Sequence, residues 1–237
     1  MHSNNYTLGF VFIITIVLGT MLSFTKMNIK DLQEYNLKAD VKKNILRSLN
    51  FNETEEQPWS NEVVEKIFND NVKAFCVDIN GNIIDCIIEE VDTERNTEVL
   101  PVYLKVVENK TEGIAVPIAG KGLWSTVFGY IALEPDTDTV LGIQFYKHGE
   151  TPGLGGEVEK AWFTNNFIGK KIRYNNDKII GVEVLKGKVD SSNPSAIHQV
   201  DGISGATVTA KGVGNFLKED LERYEAYLNK VRASGTI

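Results

Sequence analysis

The sequence predicts an α+β fold, in which one transmembrane helix precedes a mainly antiparallel β domain with flanking helices. An uncharged apolar run near the N-terminus predicts the transmembrane helix. Several strand-like segments then follow one another without evenly spaced helices between them, which argues against a parallel, doubly wound sheet. Apolar residues at helical spacing near the end of the chain predict a long final helix.

Composition and charge exclude several classes of protein. The chain has 237 residues, of which 42% are hydrophobic and 24% are charged, so it is neither a disordered chain nor a collagen-like fibre. Its net charge of −7 argues against a nucleic-acid partner, because proteins that bind nucleic acids carry a basic surface. Two cysteines are too few for a disulfide framework or for an iron–sulfur cluster held by this chain alone. Three histidines without a His/Cys cluster indicate no transition-metal site. We therefore predict no metal site.

The apolar run is long enough to cross a membrane. Residues 8–24 contain no charged residue, and a bilayer core needs roughly 20 apolar residues of helix. A cleaved signal peptide is the competing interpretation, but no Lys or Arg precedes the run and no clear cleavage pattern follows it. The lysines after the run would keep the body of the protein in the cytoplasm, although long domains translocate largely regardless of charge. The charge pattern therefore leaves the side of the membrane open.

The whole chain divides into four predicted parts: a short tail at 1–7, a transmembrane helix at 8–25, a helical connector at 26–70 and an α+β domain at 71–237. Within the connector, apolar residues at helical spacing predict a helix over 28–49, and a short helix follows over 60–69. One continuous helix is predicted near the C-terminus, with apolar positions from Val208 to Val231.

The β region begins with a predicted hairpin around Asn80 and Gly81. A two-residue loop would pair Cys76 with position 85 and place Cys76 and Cys86 on opposite faces, so that free cysteines are the favoured prediction. A three-residue loop would pair Cys76 with Cys86 and permit a disulfide. Further strands are predicted in VYLKVVE, IAVPIAG, LWSTVFGYIAL, VLGIQFYKH and IIGVEVLKG.

The segment just ahead of the final helix carries the most specific motif. Residues Asp201 to Thr207 read DGISGAT. A helix N-terminus presents unpaired N–H groups and a partial positive charge, so it can hold a phosphate, and a threonine there could carry one covalently. The alternative is that Thr207 only caps the helix, because Thr is a common N-cap residue.

This motif resembles the Asp-x-x-(Ser/Thr)-Gly-Ala-Thr sequence that flavin transferases recognise. The resemblance implies that Thr207 receives FMN through a phosphoester bond, with FAD as the donor. The other motif residues that it assigns to the cofactor site are Asp201, Ser204, Gly205 and Ala206.

Other segments are similar to the C subunits of the Na⁺-translocating NADH:quinone oxidoreductase, namely GKGLWS at 120–125, FGY at 128–130, HGETPGLGGE at 148–157 and HQV at 198–200. The similarity runs from about Gly113 to Val213, and the N-terminal anchor agrees in position. The G subunit of the Rnf electron-transfer complex shares the Thr motif and the Glu-Thr-Pro-Gly-Leu-Gly loop. That subunit tends to have Gly-Tyr-Gly-Gly where this chain reads Gly-Lys-Gly-Leu-Trp-Ser, which favours the first of these two families.

The resemblance implies a membrane-anchored protein that relays single electrons between its neighbours in a complex of six subunits. That complex is a sodium pump that oxidises NADH and reduces ubiquinone. The implied cofactor is covalent FMN, the maturation partner is a flavin transferase, and the soluble domain lies on the periplasmic side of the inner membrane. We expect no catalytic residue and no NADH site, because the chain has no dinucleotide-binding fingerprint. A membrane-tethered binding module without a cofactor is the alternative from a different class.

The glycine-rich loop has a composition that suits a flat ring. Glycines let the backbone approach a ring closely, and Pro152 stiffens the turn. By resemblance, the loop residues that contact the flavin are Glu150, Thr151, Gly153 and Leu154. Trp124 is a further candidate, since it could stack on the ring, although a Trp in a predicted strand is as often part of the core. His148 is predicted to be a hydrogen-bonding loop residue.

Overall fold

Two units make up the chain in the computed structural model, which describes residues 4–92, 98–175 and 178–234. The units are Met1–Val41 and Lys42–Ile237. Helix α1 (Asn4–Ser48) forms the described part of the first unit and continues into the second. Within the described ranges it is the one helix whose length and composition would allow it to cross a membrane. Its apolar side chains, such as those of Phe12 and Leu18, are exposed, as lipid-facing side chains would be.

A six-stranded antiparallel sheet in the order β2-β1-β3-β4-β5-β6 lies at the centre of the second unit. The strands are β1 (Val72–Val77), β2 (Ile83–Ile84), β3 (Leu100–Val107), β4 (Lys110–Lys121), β5 (Thr126–Leu133) and β6 (Val140–Lys147). The prediction of a mainly antiparallel domain is therefore confirmed.

Shorter elements surround this sheet. The helices are α2 (Asn61–Asn71), α3 (Ala161–Thr164), α4 (Thr207–Arg223) and α5 (Glu225–Ser234). The two-residue strands are β7 (Arg173–Tyr174), β8 (Lys178–Ile179), β9 (Glu183–Val184) and β10 (Gln199–Val200). β9 and β10 pair in parallel. Within the segment IIGVEVLKG, which was predicted to be one strand, β9 covers only Glu183–Val184.

Side chains of the central strands alternate between two hydrophobic cores, one on each face of the sheet. On one face, Ile114 and Val116 of β4 pack in the same core as Phe216 of α4. On the other face, Ala115 and Tyr130 pack in a core that includes apolar residues of α2 and the end of α1. Because both faces are covered, consecutive residues of β4 are buried, which explains its nearly continuous apolar sequence.

The predicted continuous C-terminal helix is wrong, because the structure interrupts it at Tyr224. Helix α4 ends at Arg223, α5 begins at Glu225, and the backbone N–H of Tyr224 donates to the Leu221 carbonyl at 3.1 Å. The ring of Tyr224 is buried, its hydroxyl donates to the Pro101 carbonyl at 2.9 Å, and burial raises its pKa well above the usual value. The apolar spacing continues through this break, so the pattern did not reveal it.

The hairpin between β1 and β2 has neither of the two predicted registers. Cys76 pairs with Ile84, because the turn closes between Asp78 and Asn82: the Asp78 backbone N–H donates to the Asn82 carbonyl at 2.9 Å, and the Asn82 backbone N–H donates to the Asp78 carboxylate at 2.8 Å. Cys86 lies two residues beyond the end of β2, and its Cα is 6.0 Å from that of Cys76. The two cysteines form a disulfide, so the favoured prediction of free cysteines is wrong.

Removing this disulfide is expected to lower the free energy of unfolding by about 2–3 kcal/mol, because the bond closes a loop in the unfolded chain. The variant is Cys76→Ala with Cys86→Ala, and the measurement is urea unfolding of the full chain in detergent, followed by tryptophan fluorescence. Wild-type protein treated with a reductant should unfold like the variant. Equal stability of the oxidised wild type and the variant would contradict this expectation.

Candidate functional site

Glu150 lies where three segments of the chain meet. Its side chain is 5% exposed, and its carboxylate accepts hydrogen bonds from the backbone N–H groups of Leu123, Trp124 and Ser125 at 3.2, 2.9 and 3.1 Å. It also accepts a hydrogen bond from the Thr209 hydroxyl at 2.6 Å. One carboxylate therefore joins the turn before β5, the glycine-rich loop and the first turn of α4.

The hydrogen bonds around Glu150 determine its ionisation. Burial alone would raise the pKa of its carboxyl, but the bonds from Thr209 and from the three backbone N–H groups outweigh burial and lower the pKa below 4.5. A Cβ on Gly122 or Gly155 would come within 2.7 or 2.6 Å of a carboxylate oxygen of Glu150. The carboxylate is thus ionised at neutral pH and held closely by its neighbours.

The glycine-rich loop turns around the carbonyl of Thr151. This carbonyl accepts hydrogen bonds from the backbone N–H groups of Leu154 and Gly156 at 3.1 and 3.0 Å. Gly153 has a φ of +75°, which favours glycine, and a Cβ at this position would have no atom within 4 Å. The loop therefore has a defined turn and leaves open space beside Gly153, while the side chain of Leu154 is 43% exposed.

The DGISGAT motif approaches this loop directly. Asp201 accepts a hydrogen bond from the Val189 backbone N–H at 2.8 Å, and this bond fixes the start of the motif to the preceding segment. Gly205 has a φ of +74°, and a Cβ there would lie 2.8 Å from Cδ2 of Leu154. Ser204 is exposed. The predicted loop and the predicted motif therefore contact each other through Leu154 and Gly205.

Thr207 is not a capping residue, so that alternative is wrong. Ala206 occupies the N-cap position of α4, and no side chain caps the helix there. Thr207 is the first helical residue, and its side chain is exposed. By contrast, Thr209 is 1% exposed and its hydroxyl donates to Glu150. Thr207 is therefore accessible from solvent, whereas the hydroxyl of Thr209 is buried against Glu150.

Trp124 lies in a turn rather than in a strand. β5 begins only at Thr126, the backbone N–H of Trp124 donates to Glu150, and the Trp124 side chain is 72% exposed. The interpretation of Trp124 as a core residue is therefore wrong. The Glu150 carboxylate binds the turn that carries this exposed indole, and Glu150 itself belongs to the loop that carries the partly exposed Leu154.

Sequence reasoning missed one residue of the site and identified another. Thr209 lies at the Glu150 carboxylate, as does Gly122 of the GKGLWS segment, but no local pattern distinguished Thr209. His148 accepts a hydrogen bond from the Glu150 backbone N–H at 3.2 Å, and its Nε2 lies 3.4 Å from Glu159. These contacts confirm His148 as a hydrogen-bonding loop residue.

Comparisons with known proteins agree with this geometry. Residues 122–222 match the FMN-binding domain family. The chain is 31% identical over 240 residues to the C subunit of the Na(+)-translocating NADH-quinone reductase from Vibrio alginolyticus, and the match covers 90% of each chain. It is 42% identical over 141 residues to the corresponding protein from Pseudomonas aeruginosa, in a match that covers 59% of this chain and 54% of that protein.

A solved structure is similar as well. The crystal structure of the Na(+)-translocating NADH-quinone reductase C subunit from Parabacteroides distasonis superposes with a TM-score of 0.74 at 33% identity, covering 84% of this chain and 96% of that chain. The matched FMN-binding region contains the Glu150 carboxylate, the glycine-rich loop and the DGISGAT motif. The chain therefore belongs to the family of C subunits of the Na(+)-translocating NADH-quinone reductase.

Proposed function

We propose that this chain is the membrane-anchored electron-transfer subunit of a sodium-pumping NADH:ubiquinone oxidoreductase, with FMN attached through a phosphoester to Thr207. The observation that carries the proposal is the exposed position of Thr207 as the first residue of α4, within the matched FMN-binding domain. When bound, the flavin supplies the chemistry of one-electron transfer. We propose that neighbouring subunits are the electron donor and acceptor, and that this chain has no NADH site of its own.

The residues around Thr207 fit a tethered flavin. Trp124 and Leu154 present large apolar side chains to solvent, 72% and 43% exposed, and Gly153 borders open space. A flat aromatic ring would bury this apolar surface, which is energetically favourable. We propose that Trp124, Thr151, Gly153 and Leu154 contact the ring, while the acceptor motif consists of Asp201, Ser204, Gly205, Ala206 and Thr207.

Glu150 is a positioning residue in this proposal. Its carboxylate holds the turn that carries Trp124 and the helix that carries Thr207 in one arrangement, through hydrogen bonds of 2.9 Å to the Trp124 N–H and 2.6 Å to the Thr209 hydroxyl. This carboxylate therefore holds the acceptor threonine and the ring-binding loop in one arrangement.

Location and partners follow from the same proposal. We propose an inner-membrane protein that belongs to a complex of six subunits, with its soluble domain on the periplasmic side, where a flavin transferase modifies it. The Cys76–Cys86 disulfide supports this side of the membrane, because structural disulfides persist in oxidising compartments such as the periplasm. That observation outweighs the distribution of lysines after the apolar run.

The attachment is tested by expressing the full chain with and without a flavin transferase. A fluorescent band on a denaturing gel and a peptide mass that places FMN on Thr207 are the expected results when the transferase is present. A chain that binds no flavin under these conditions would instead be a membrane-tethered module without a cofactor. FMN on Ser204 or Thr209 would contradict the assignment of the acceptor.

The topology is tested by a cysteine at Lys218, whose side chain is 45% exposed. Because Cys76 and Cys86 are bridged, Lys218→Cys supplies a free thiol in a chain that has two native cysteines. We expect a membrane-impermeant thiol reagent to label this variant in intact cells whose outer membrane is permeable to the reagent, and not to label the wild type. Labelling only after lysis would place the domain in the cytoplasm.

Truncating Leu154, which is proposed to contact the flavin ring, is expected to alter the spectrum and potential of the flavin without preventing its attachment. Leu154→Ala removes an exposed apolar contact, while the acceptor Thr207 is untouched, so FMN should still be attached. The visible absorbance and the midpoint potential of the bound flavin should shift. Ile168→Ala is the matched control, since Ile168 is 49% exposed and lies outside the site. An unchanged spectrum and potential in folded Leu154→Ala protein would remove Leu154 from the ring contacts.

A further inference from the structure

A cavity of about 610 Å³ lies along one side of α4, between this helix and the segments that carry β9 and β10. We call it the α4 groove. Its lining includes Thr207 near the start of the helix and Lys218 three turns later, so that it extends over about 16 Å of helix. The proposed attachment point of FMN therefore borders a groove that the ring-binding loop does not line.

The α4 groove is positively charged in an acidic protein. Its lining includes Lys186, Lys211 and Lys218 but a single carboxylate, that of Glu183, whereas the whole chain has a net charge of −7. Glu183 accepts a hydrogen bond from the Gln199 side chain at 2.8 Å. Such a local excess of ammonium groups attracts a small anion to the groove.

Two of these lysines have no counter-ion among the residues that the structure describes. Lys218 lies 3.8 Å from the carboxylate of Glu222, but Lys186 and Lys211 form no ion pair or side-chain hydrogen bond within the described ranges. Both side chains are exposed, so each ammonium group can move on its flexible stem. They are therefore available to an anion that enters the groove.

Lys211 is placed to meet an anion on Thr207. The two residues are four apart in α4, so their side chains lie on the same side of the helix, and both line the groove. A phosphoester that links Thr207 to FMN is a diester and keeps one negative charge. We propose that Lys186 and Lys211 form an anion subsite that pairs with this phosphodiester and stabilises the flavinylated protein. The proposal rests on the attachment of FMN to Thr207.

The test compares the gain in melting temperature on flavinylation among variants of the full chain in detergent. The groove variant is Lys186→Gln with Lys211→Gln, and the control is Lys178→Gln with Lys188→Gln. The control removes the same charge from exposed lysines outside the groove. We expect the gain to be smaller by about 2–4 °C in the groove variant and unchanged in the control. The difference should shrink at 1 M salt, where charges are screened within about 3 Å.

A second readout follows the phosphate itself. The ³¹P NMR signal of the flavinylated protein should shift in the groove variant but not in the control, and Lys211→Arg should keep the wild-type gain because it retains the charge. If the double variant is not flavinylated, the single variants Lys186→Gln and Lys211→Gln are measured, and each should lose part of the gain.

Flavinylated groove variants with the full gain and a wild-type ³¹P signal would overturn the anion subsite while leaving the proposed function intact. Wild-type protein without FMN on Thr207, when expressed with the transferase, would overturn the proposed function and the subsite together. The intact mass, measured first, distinguishes these two failures.

Discussion

Thr207→Ala protein is expected to carry no covalent flavin and yet to fold normally. The exposed hydroxyl of Thr207 is the proposed acceptor, and without it no phosphoester can form at this position. The substitution leaves the cap of α4 unchanged, since no side chain caps this helix. Its effect on the free energy of unfolding should stay within about 0.5 kcal/mol, as for other surface substitutions.

The measurement is the fluorescence and intact mass of the full chain expressed with a flavin transferase. Thr54→Ala, which changes an exposed threonine far along the sequence from the motif, is the control and should remain fully flavinylated. Covalent flavin in the Thr207→Ala protein would contradict the assignment, and peptide masses would then locate the true acceptor.

Glu150→Gln is expected to cost about 2–4 kcal/mol of stability, because it replaces an ionised acceptor that receives four hydrogen bonds. The amide nitrogen of Gln would face donors that it cannot pair with. We expect the turn at Trp124 and the start of α4 to loosen, so that flavinylation of Thr207 also becomes slower. Urea unfolding and the rate of flavin attachment measure the two effects.

The pH dependence of this variant provides an independent check. The folded state lowers the pKa of Glu150 below 4.5, so its ionised form contributes stability above that pH, and this contribution is lost as the pH falls through the folded-state pKa. Wild-type protein should therefore lose more stability between pH 7 and pH 3 than Glu150→Gln. Glu55→Gln, which changes an exposed carboxylate, is the control and should behave like the wild type. Identical pH profiles for wild type and Glu150→Gln would show that the carboxylate has no such role.

Features that depend on residues close together in the sequence were predictable. The apolar run predicts the membrane-length part of α1, the β-branched segments predict the central sheet, and DGISGAT lies at the start of α4 as expected. Each of these depends on residues close together in the chain, whose spacing or type determines the local conformation.

Features that depend on distant contacts were not predictable. The break at Tyr224 is associated with a hydrogen bond from its hydroxyl to Pro101, and the apolar spacing of the final helix contains no trace of it. The first hairpin is a local exception, because its turn closes between Asp78 and Asn82 and the Asn-Gly signal alone does not determine that register. Nothing near Thr209 indicates that its partner is Glu150.

The Glu150 carboxylate also has a consequence for the order of events in the life of the protein. It connects positions that are 26 and 59 residues away along the chain, at Trp124 and Thr209. Contacts between such distant positions form only after long loops have closed, which is slow compared with local helix formation. An enzyme that recognises Thr207 in this arrangement would modify folded chains and would not modify nascent or misfolded ones. Covalent flavin would then mark the chains that have completed folding.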